Sequence, residues 1–218
     1  MLTLDPALGG RVAAAWLRIE SVRVAPASWE QAAALAILEC ELVTLHDGKT
    51  PAEIEGLQAA RRLYHAAGVD PTRTRPSSEA LLRRVLKGQG LPAVNNAVDA
   101  GNELSLRLLM PLGLYDAARI EGPVELRLGR PGESYPGIRK EEVHLEGRLG
   151  LFDAAGPFGS PTSDSPRTSV QDGTSSLLLV LFVPGGHPRE RREEALELGA
   201  ALFARWCGGR PGESGLLD

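Results

Sequence analysis

The chain has 218 residues, 43% hydrophobic and 24% charged, enough for a sizeable core in one large domain or two small ones. Its 24 Lys and Arg against 28 Asp and Glu give a net charge of −4. This argues against a general nucleic-acid binder, whose affinity rests on a basic surface. Cys40 and Cys207 lack metal-ligand spacing and suggest two buried free thiols in a reducing compartment. The opening residues lack the order of a signal peptide, and no stretch nears the roughly 20 apolar residues of a membrane span. The expectation is a cytoplasmic protein without a membrane partner.

Ala15 to Val24 partly alternates and predicts a strand. Ser28 then caps a helix from Trp29 to about Leu45, with Gln31 at the capping-box position. Thr50-Pro51-Ala52-Glu53 is a second start signal, for a helix running to Ala67 and ended by Gly68. Ser77 or Ser78 opens a third helix, which Gly88 closes. Val94, Val98, Leu104, Leu108 and Leu109 recur at helical spacing and give a fourth, ending near Met110-Pro111.

The period then changes. Val124 to Leu128 alternates as a strand, Gly129 to Glu133 turns, and Val143 to Phe152 is strand-like but broken by two glycines. Pro157 to Thr174 reads as a long polar loop. Ser176 to Val183 is the most apolar strand, expected at the centre and buried on both faces. Arg189 to Cys207 is a closing helix, and Gly208 to Asp218 reads as a frayed tail. Helices first and strands later favour an α+β fold. The expected organisation is an N-terminal strand and helix in residues 1–50, integrated with a domain over 51–207, and a flexible tail over 208–218.

Two segments carry candidate chemistry. Asn95, Asn96, Asp99 and Asn102 sit in the otherwise core-forming fourth helix. Short polar groups there are costly unless paired, so they hold either their own backbone or a ligand. Asp164, Ser165, Arg167 and Thr168 lie in the long loop, which is either functional or a plain surface excursion. Arg61, Arg62, Arg73, Arg75, Arg83, Arg84 and Lys87 cluster as a phosphate-binding face or as a solvated face with helical ion pairs. His46, His65, His144 and His187 are scattered, with no metal spacing, no G-x-S-x-G elbow and no Cys–His pair, so neither metal nor cofactor is expected.

The stretches PSSEALLRRVLKG, LPAVNNAVDAGNELS, MPLGLYD and SDSPRTSV, with LLLVLFV behind them, resemble the B3/B4 domain of the phenylalanyl-tRNA synthetase beta subunit, and more closely free-standing proteins made of that domain alone. The resemblance covers roughly Pro51 to Val183, and its most specific part is the Asn-Asn-x-x-Asp-x-x-Asn element. It implies a compact α+β domain with mixed or antiparallel sheet layers packed against helices. It also implies editing chemistry, the hydrolysis of a mischarged aminoacyl-tRNA ester, here in trans. Nothing in the chain resembles an aminoacylation core.

The resemblance also implies roles. Asp164 is the candidate base that orients water. Asn95 and Asn96 cap the fourth helix and present amides to a pocket. Asp99 and Asn102 share a helix face one turn apart and pair with Arg167 across that pocket, or make a purely structural ion pair. Gly113 allows close backbone approach, Ser165 and Thr168 act as donors or loop caps, and Asp116 caps the next turn. Arg73, Arg75, Arg83 and Arg84 would meet tRNA phosphates. Synthetase editing domains often carry a histidine after the Pro-Leu pair, where this chain has Gly113, and an acid before the Arg-Thr pair, where it has Pro166. Those departures keep open two other readings: a non-catalytic module for an amino-acid-like or nucleoside-like ligand, and a synthetase-associated accessory protein.

Overall fold

The computed structural model describes residues 2–138 and 140–218. In chain order these form β1 (Leu2–Leu4), β2 (Val12–Glu20), α1 (Trp29–Leu45), α2 (Glu55–Ala66), α3 (Ser77–Leu86), α4 (Asn96–Leu108), β3 (Leu112–Asp116) and β4 (Val124–Leu128). They continue as β5 (Ser134–Gly137), β6 (Lys140–His144), β7 (Leu149–Asp153), β8 (Gly156–Gly159), β9 (Ser176–Pro184), α5 (Arg189–Cys207) and β10 (Arg210–Leu217). The class is α+β, as expected.

The uninterrupted apolar run of β9 organises the core. All nine of its residues are buried, because it runs inside the antiparallel sheet β10-β2-β9-β3. Leu178, Val180 and Phe182 face a second sheet, β1-β4-β7-β8, and pack with Leu126, Leu151 and Phe158. Leu177 and Leu179 face the helices and pack with Ala100 and Leu104 of α4 and Leu202 and Phe203 of α5. Successive side chains point to opposite faces of a strand, so a strand with layers on both sides is apolar throughout. In the second sheet β1 runs parallel to β4 while β7 and β8 are antiparallel, and β5 and β6 form a separate hairpin. Helices α1 and α3 pack outside α4 through Leu38, Leu42, Leu82 and Leu106.

Several local rules act differently from the sequence expectation. Ser28 accepts from the Gln31 amide at 3.3 Å, but the Gln31 side chain does not fold back; it donates to the Asn96 carbonyl at 2.8 Å and ties α1 to α4. The Thr50 amide and hydroxyl both donate to Glu53 at 2.7 Å, yet this box closes only a turn. Ile54 stays extended, buries its side chain, and α2 starts one residue later.

The tail reading is corrected. Residues 210–217 form β10, paired antiparallel with β2. Glycine here permits close approach, since a Cβ on Gly215 would meet the Trp16 indole nitrogen at 2.5 Å. Arg192 also donates to the Leu217 carbonyl at 3.0 Å. The long-loop reading is corrected as well: β8 takes its first residues, and Pro166–Thr168 form a 3-10 turn. Among the described residues no helix is long and apolar enough to cross a membrane.

Candidate functional site

A cavity of about 760 Å³ opens where α2, α3, α4 and the β6–β7 connection meet the segment 160–164. Leu63, Ala67, Leu112, Leu145 and Leu149 give it an apolar wall. Asn102, Ser105, Ser160, Thr162 and Asp164 bring polar groups to it, and Arg73, Arg75, Arg84 and Arg148 stand around it.

The segment 160–164 is held by all three tyrosines of the chain. Tyr64 from α2 donates to the Pro161 carbonyl at 2.9 Å and meets the Thr162 hydroxyl at 2.8 Å. Tyr135 from β5 donates to Ser160 Oγ at 3.1 Å and to the Ser163 carbonyl. Tyr115 from β3 donates to Asp164 Oδ1 at 2.7 Å. The backbone closes the same segment, because Asp164 bridges back to Gly159 and its carbonyl accepts from the Ile138 amide at 2.9 Å. A stretch that reads as loose polar loop is thus a fixed wall.

Asp164 is the last residue of this wall and lines the cavity. Burial pushes its carboxyl up to about 7, against the opposing pull of the Tyr115 hydrogen bond. The same burial, with Asp164 beside it, raises the Tyr115 phenol well above its ordinary range, so Tyr115 stays a donor. A carboxyl that titrates near neutrality inside a cavity is a group able to take and return a proton at physiological pH.

Gly113 has a definite steric reason. A Cβ there would meet the Tyr115 hydroxyl at 2.1 Å, and a Cβ on Gly159 would meet it at 2.2 Å. The phenol end of Tyr115 is clamped between two glycines and packs edge-on to Phe158 at a ring distance of 5.0 Å. The space a side chain at position 113 would need is filled by Tyr115.

Of the expected site residues, Asn102, Asp164, Arg73, Arg75 and Arg84 line this cavity. The others lie elsewhere. Asn95 caps α4 by accepting from the Val98 amide at 2.8 Å. Asn96 is buried and accepts from the Ala25 amide at 3.0 Å, while its amide donates to the Arg23 and Trp206 carbonyls at 2.9 Å, so it staples three segments. Asp99 is 2% exposed and accepts from the Val94 amide at 3.1 Å. Burial raises its pKa, opposed by that one hydrogen bond.

The pairing of Asp99 with Arg167 is corrected. Arg167 makes a two-pronged bond to Asp153 at 2.8 and 2.9 Å and lies 5.6 Å over the Phe158 ring. Asp153 is the last residue of β7 and stands beside the 3-10 turn that carries Arg167, whereas Asp99 is turned into the start of α4. Ser165 caps that turn by accepting from the Arg167 amide at 3.2 Å. Thr168 is fully buried, with no partner for its hydroxyl among the described residues. Asp116 accepts from the Ala118 amide at 3.0 Å and from the Thr174 hydroxyl at 2.7 Å, capping the next turn.

The arginine cluster divides in two. Glu79 is 1% exposed and binds Arg61 and Arg83 at 2.9 Å, with Arg75 at 3.8 Å. Burial alone would raise the Glu79 pKa, but Arg61 and Arg83 hold it below its ordinary value. Arg61 and Arg83 are therefore structural, and Arg73 and Arg84 are the freer cations at the mouth. Sequence reasoning missed the three tyrosines as a group. Their scarcity, and the Gly-x-Tyr step of the strand LGLYD, are the signals that carry them.

Comparison with known proteins follows the same lines. The B3/4 domain family matches residues 59–206. The phenylalanine–tRNA ligase beta subunit of Chromobacterium violaceum is 31% identical over 191 residues, covering 76% of this chain and 24% of the relative. That of Thermobifida fusca is 28% identical over 133 residues, covering 57% of this chain and 16% of the relative. That of Neisseria meningitidis serogroup B is 24% identical over 175 residues, covering 66% and 22%. The chain thus spans less than a quarter of the length of each. In fold, it is similar to an N-terminal fragment of the phenylalanyl-tRNA synthetase beta subunit from Pyrococcus horikoshii, with a TM-score of 0.50 at 14% identity, covering 97% of this chain and 50% of that one. With the family matched over more than half of its length, the chain belongs to the B3/4 domain family.

Proposed function

We propose that this chain is a trans-acting aminoacyl-tRNA deacylase, cleaving the ester that joins a wrong amino acid to tRNA. The observation that carries the reading is Asp164: a carboxyl titrating near 7 on the wall of a cavity of about 760 Å³ with a cation-rich mouth. A cavity of this size suits an amino acid together with part of a terminal nucleotide. In its ionised form Asp164 takes a proton from water. The resulting hydroxide adds to the ester carbonyl, and collapse expels the ribose oxygen, which recovers the proton. Aminoacyl esters are activated, so positioned water, a dry pocket and donors to the oxyanion suffice. Asn102 is the side-chain donor suited to that oxyanion, and the apolar wall takes the amino-acid side chain.

Arg73, Arg75 and Arg84 are the groups for tRNA phosphates, which predicts activity falling steeply with salt. The decisive experiment is a deacylation screen across a full panel of aminoacyl-tRNAs with wild type and Asp164→Asn. Cleavage by wild type that the variant loses supports the proposal; no cleavage above buffer for any tRNA ends it.

A second reading, a binding module without turnover, is favoured by one observation: Gly113, where editing domains often carry histidine, has its side-chain space filled by Tyr115. It expects thermal stabilisation by free amino acids or nucleosides with no hydrolysis. In the accessory-protein reading the chain copurifies with a synthetase and shows neither behaviour.

A further inference from the structure

The helix α1 has two opposed apolar stripes, and the fold covers one. Gln31, Leu35, Leu38 and Leu42 are buried against α3 and α4. On the other side Trp29, Ala33, Ala36, Cys40 and Val43 follow one another at alternating steps of four and three, the spacing of a helix-packing seam. Trp29 is 77% exposed and Ile37, beside this stripe, 61%. Of the six large apolar side chains exposed among the described residues, four are on α1. A helix apolar all round is normally buried all round.

The charges on α1 point to the occupant. It carries Glu30, Glu39 and Glu41 and no Lys, Arg or His. Glu30 and Glu41 border the outer stripe on the side of Ile37. A second copy laid antiparallel on α1 would bring these acids towards each other with no cation between them. The area also speaks against a dimer through this face alone: a helix of this length offers a strip about 25 Å long and 10 Å wide, far below the roughly 800 Å² per partner of a stable interface. It is the footprint of a single helix. The central Ala33, Ala36 and Cys40 are small, so a partner backbone can come close.

We infer that the outer face of α1 is a docking site for an amphipathic helix of another protein, one whose apolar stripe is flanked by Lys and Arg. The docked helix lies along Trp29, Ala36 and Cys40, with its cations against Glu30 and Glu41. This inference is independent of the proposed deacylase activity.

The test uses two synthetic peptides of about 20 residues, each some 30 Å long as a helix. They share a Leu/Ala stripe and differ only in Lys or Glu flanks. Binding to the whole chain is read by fluorescence anisotropy, and its location by maleimide labelling of Cys40, which is exposed on the stripe rather than buried as the sequence suggested, with buried Cys207 as internal control. Saturable binding of the Lys peptide, protection of Cys40, and a roughly ten-fold or greater loss in Ile37→Glu are expected, the scale of losing one packed anchor. That substitution adds an acid, so simple charge attraction would strengthen binding instead. Circular dichroism checks that the variant is folded. Equal binding of both peptides, Cys40 labelling unchanged by the peptide, or binding unaffected by Ile37→Glu overturns the inference. So does wild type sedimenting as a dimer that Ile37→Glu dissociates, or association of α1 with phosphatidylcholine–phosphatidylserine vesicles in preference to the Lys peptide.

Discussion

The Tyr115 hydroxyl donates to Asp164 Oδ1 at 2.7 Å, and that bond joins the edge strand β3 to the wall of the cavity. It fixes where the carboxyl points and leaves the second oxygen of Asp164 free of this bond. Its consequences for pH can be measured.

Asp164 titrates at about 7 in the fold and near 3.8 when exposed. A carboxyl with a raised folded pKa contributes stability that is complete below the unfolded value and lost as pH rises through the folded value. In urea denaturation from pH 4 to pH 8, the stability of wild type relative to Asp164→Asn should therefore fall by on the order of 1–3 kcal/mol, levelling above about pH 7. A pH-independent difference would mean that burial does not perturb this group. If Asp164 is the base, deacylation rises over the upper part of the same interval.

Gly113→Ala should cost about 1–3 kcal/mol, the scale of overpacking in a filled interior, because its methyl meets the Tyr115 phenol. For the same reason Gly113→His is not tolerated alone, and Gly113→His with Tyr115→Ala recovers part of the loss. Thermal melts of the single and double variants decide it; additive losses would show that Tyr115 is not the obstacle.

Arg167→Ala leaves Asp153 without its cation, although the Glu121 and Ala155 amides still donate to it. The Asp153 carboxyl is closed to solvent while Arg167 is partly exposed. A loss of about 2–4 kcal/mol follows, slightly below the cost of breaking a fully buried pair. In double-mutant cycles Arg167 should couple to Asp153 and show no coupling to Asp99, measured by chemical denaturation.

His46 is buried, and neither ring nitrogen has a partner among the described residues. Burial lowers its pKa, with Lys49 adding to the effect. The unfolded chain therefore binds the proton first, and stability declines as pH falls below about 6.5. His46→Leu should remove this decline and add about 1–2 kcal/mol at pH 6. An acid limb unchanged in the variant would exclude His46 as its source.

The sequence carried the repetitive parts of the fold well, for physical reasons. Ser28 and Gly208 bracket helices through local hydrogen bonding and backbone freedom, and β9 announces two-sided burial by being apolar at consecutive positions. What it hid depends on distant partners. Strand β10 is polar and glycine-rich, and only the edge of β2 and the bulk of Trp16 make it a strand. The site divides likewise. Asn102 and Asp164, 62 positions apart, come to one cavity, while Asn96 and Asp99, on the same helix as Asn102, turn to the backbone. Asp99 and Asn102 share a helix face, but Asp99 lies in the first turn and accepts from the Val94 amide, while Asn102 stands one turn further on, at the cavity. Arg167 found Asp153 because β7 ends beside its turn, a proximity that no spacing in the chain encodes.

With only Tyr64, Tyr115 and Tyr135 present, and each bonded to the segment from Ser160 to Asp164, the ultraviolet difference signal of phenol ionisation reports on the burial of the three rings that hold that segment. An alkaline titration of the unlabelled protein thus acts as a built-in gauge of how firmly the cavity wall is closed. All three rings ionise late while it is shut, and any ligand that pries it open betrays itself by releasing tyrosinate at lower pH.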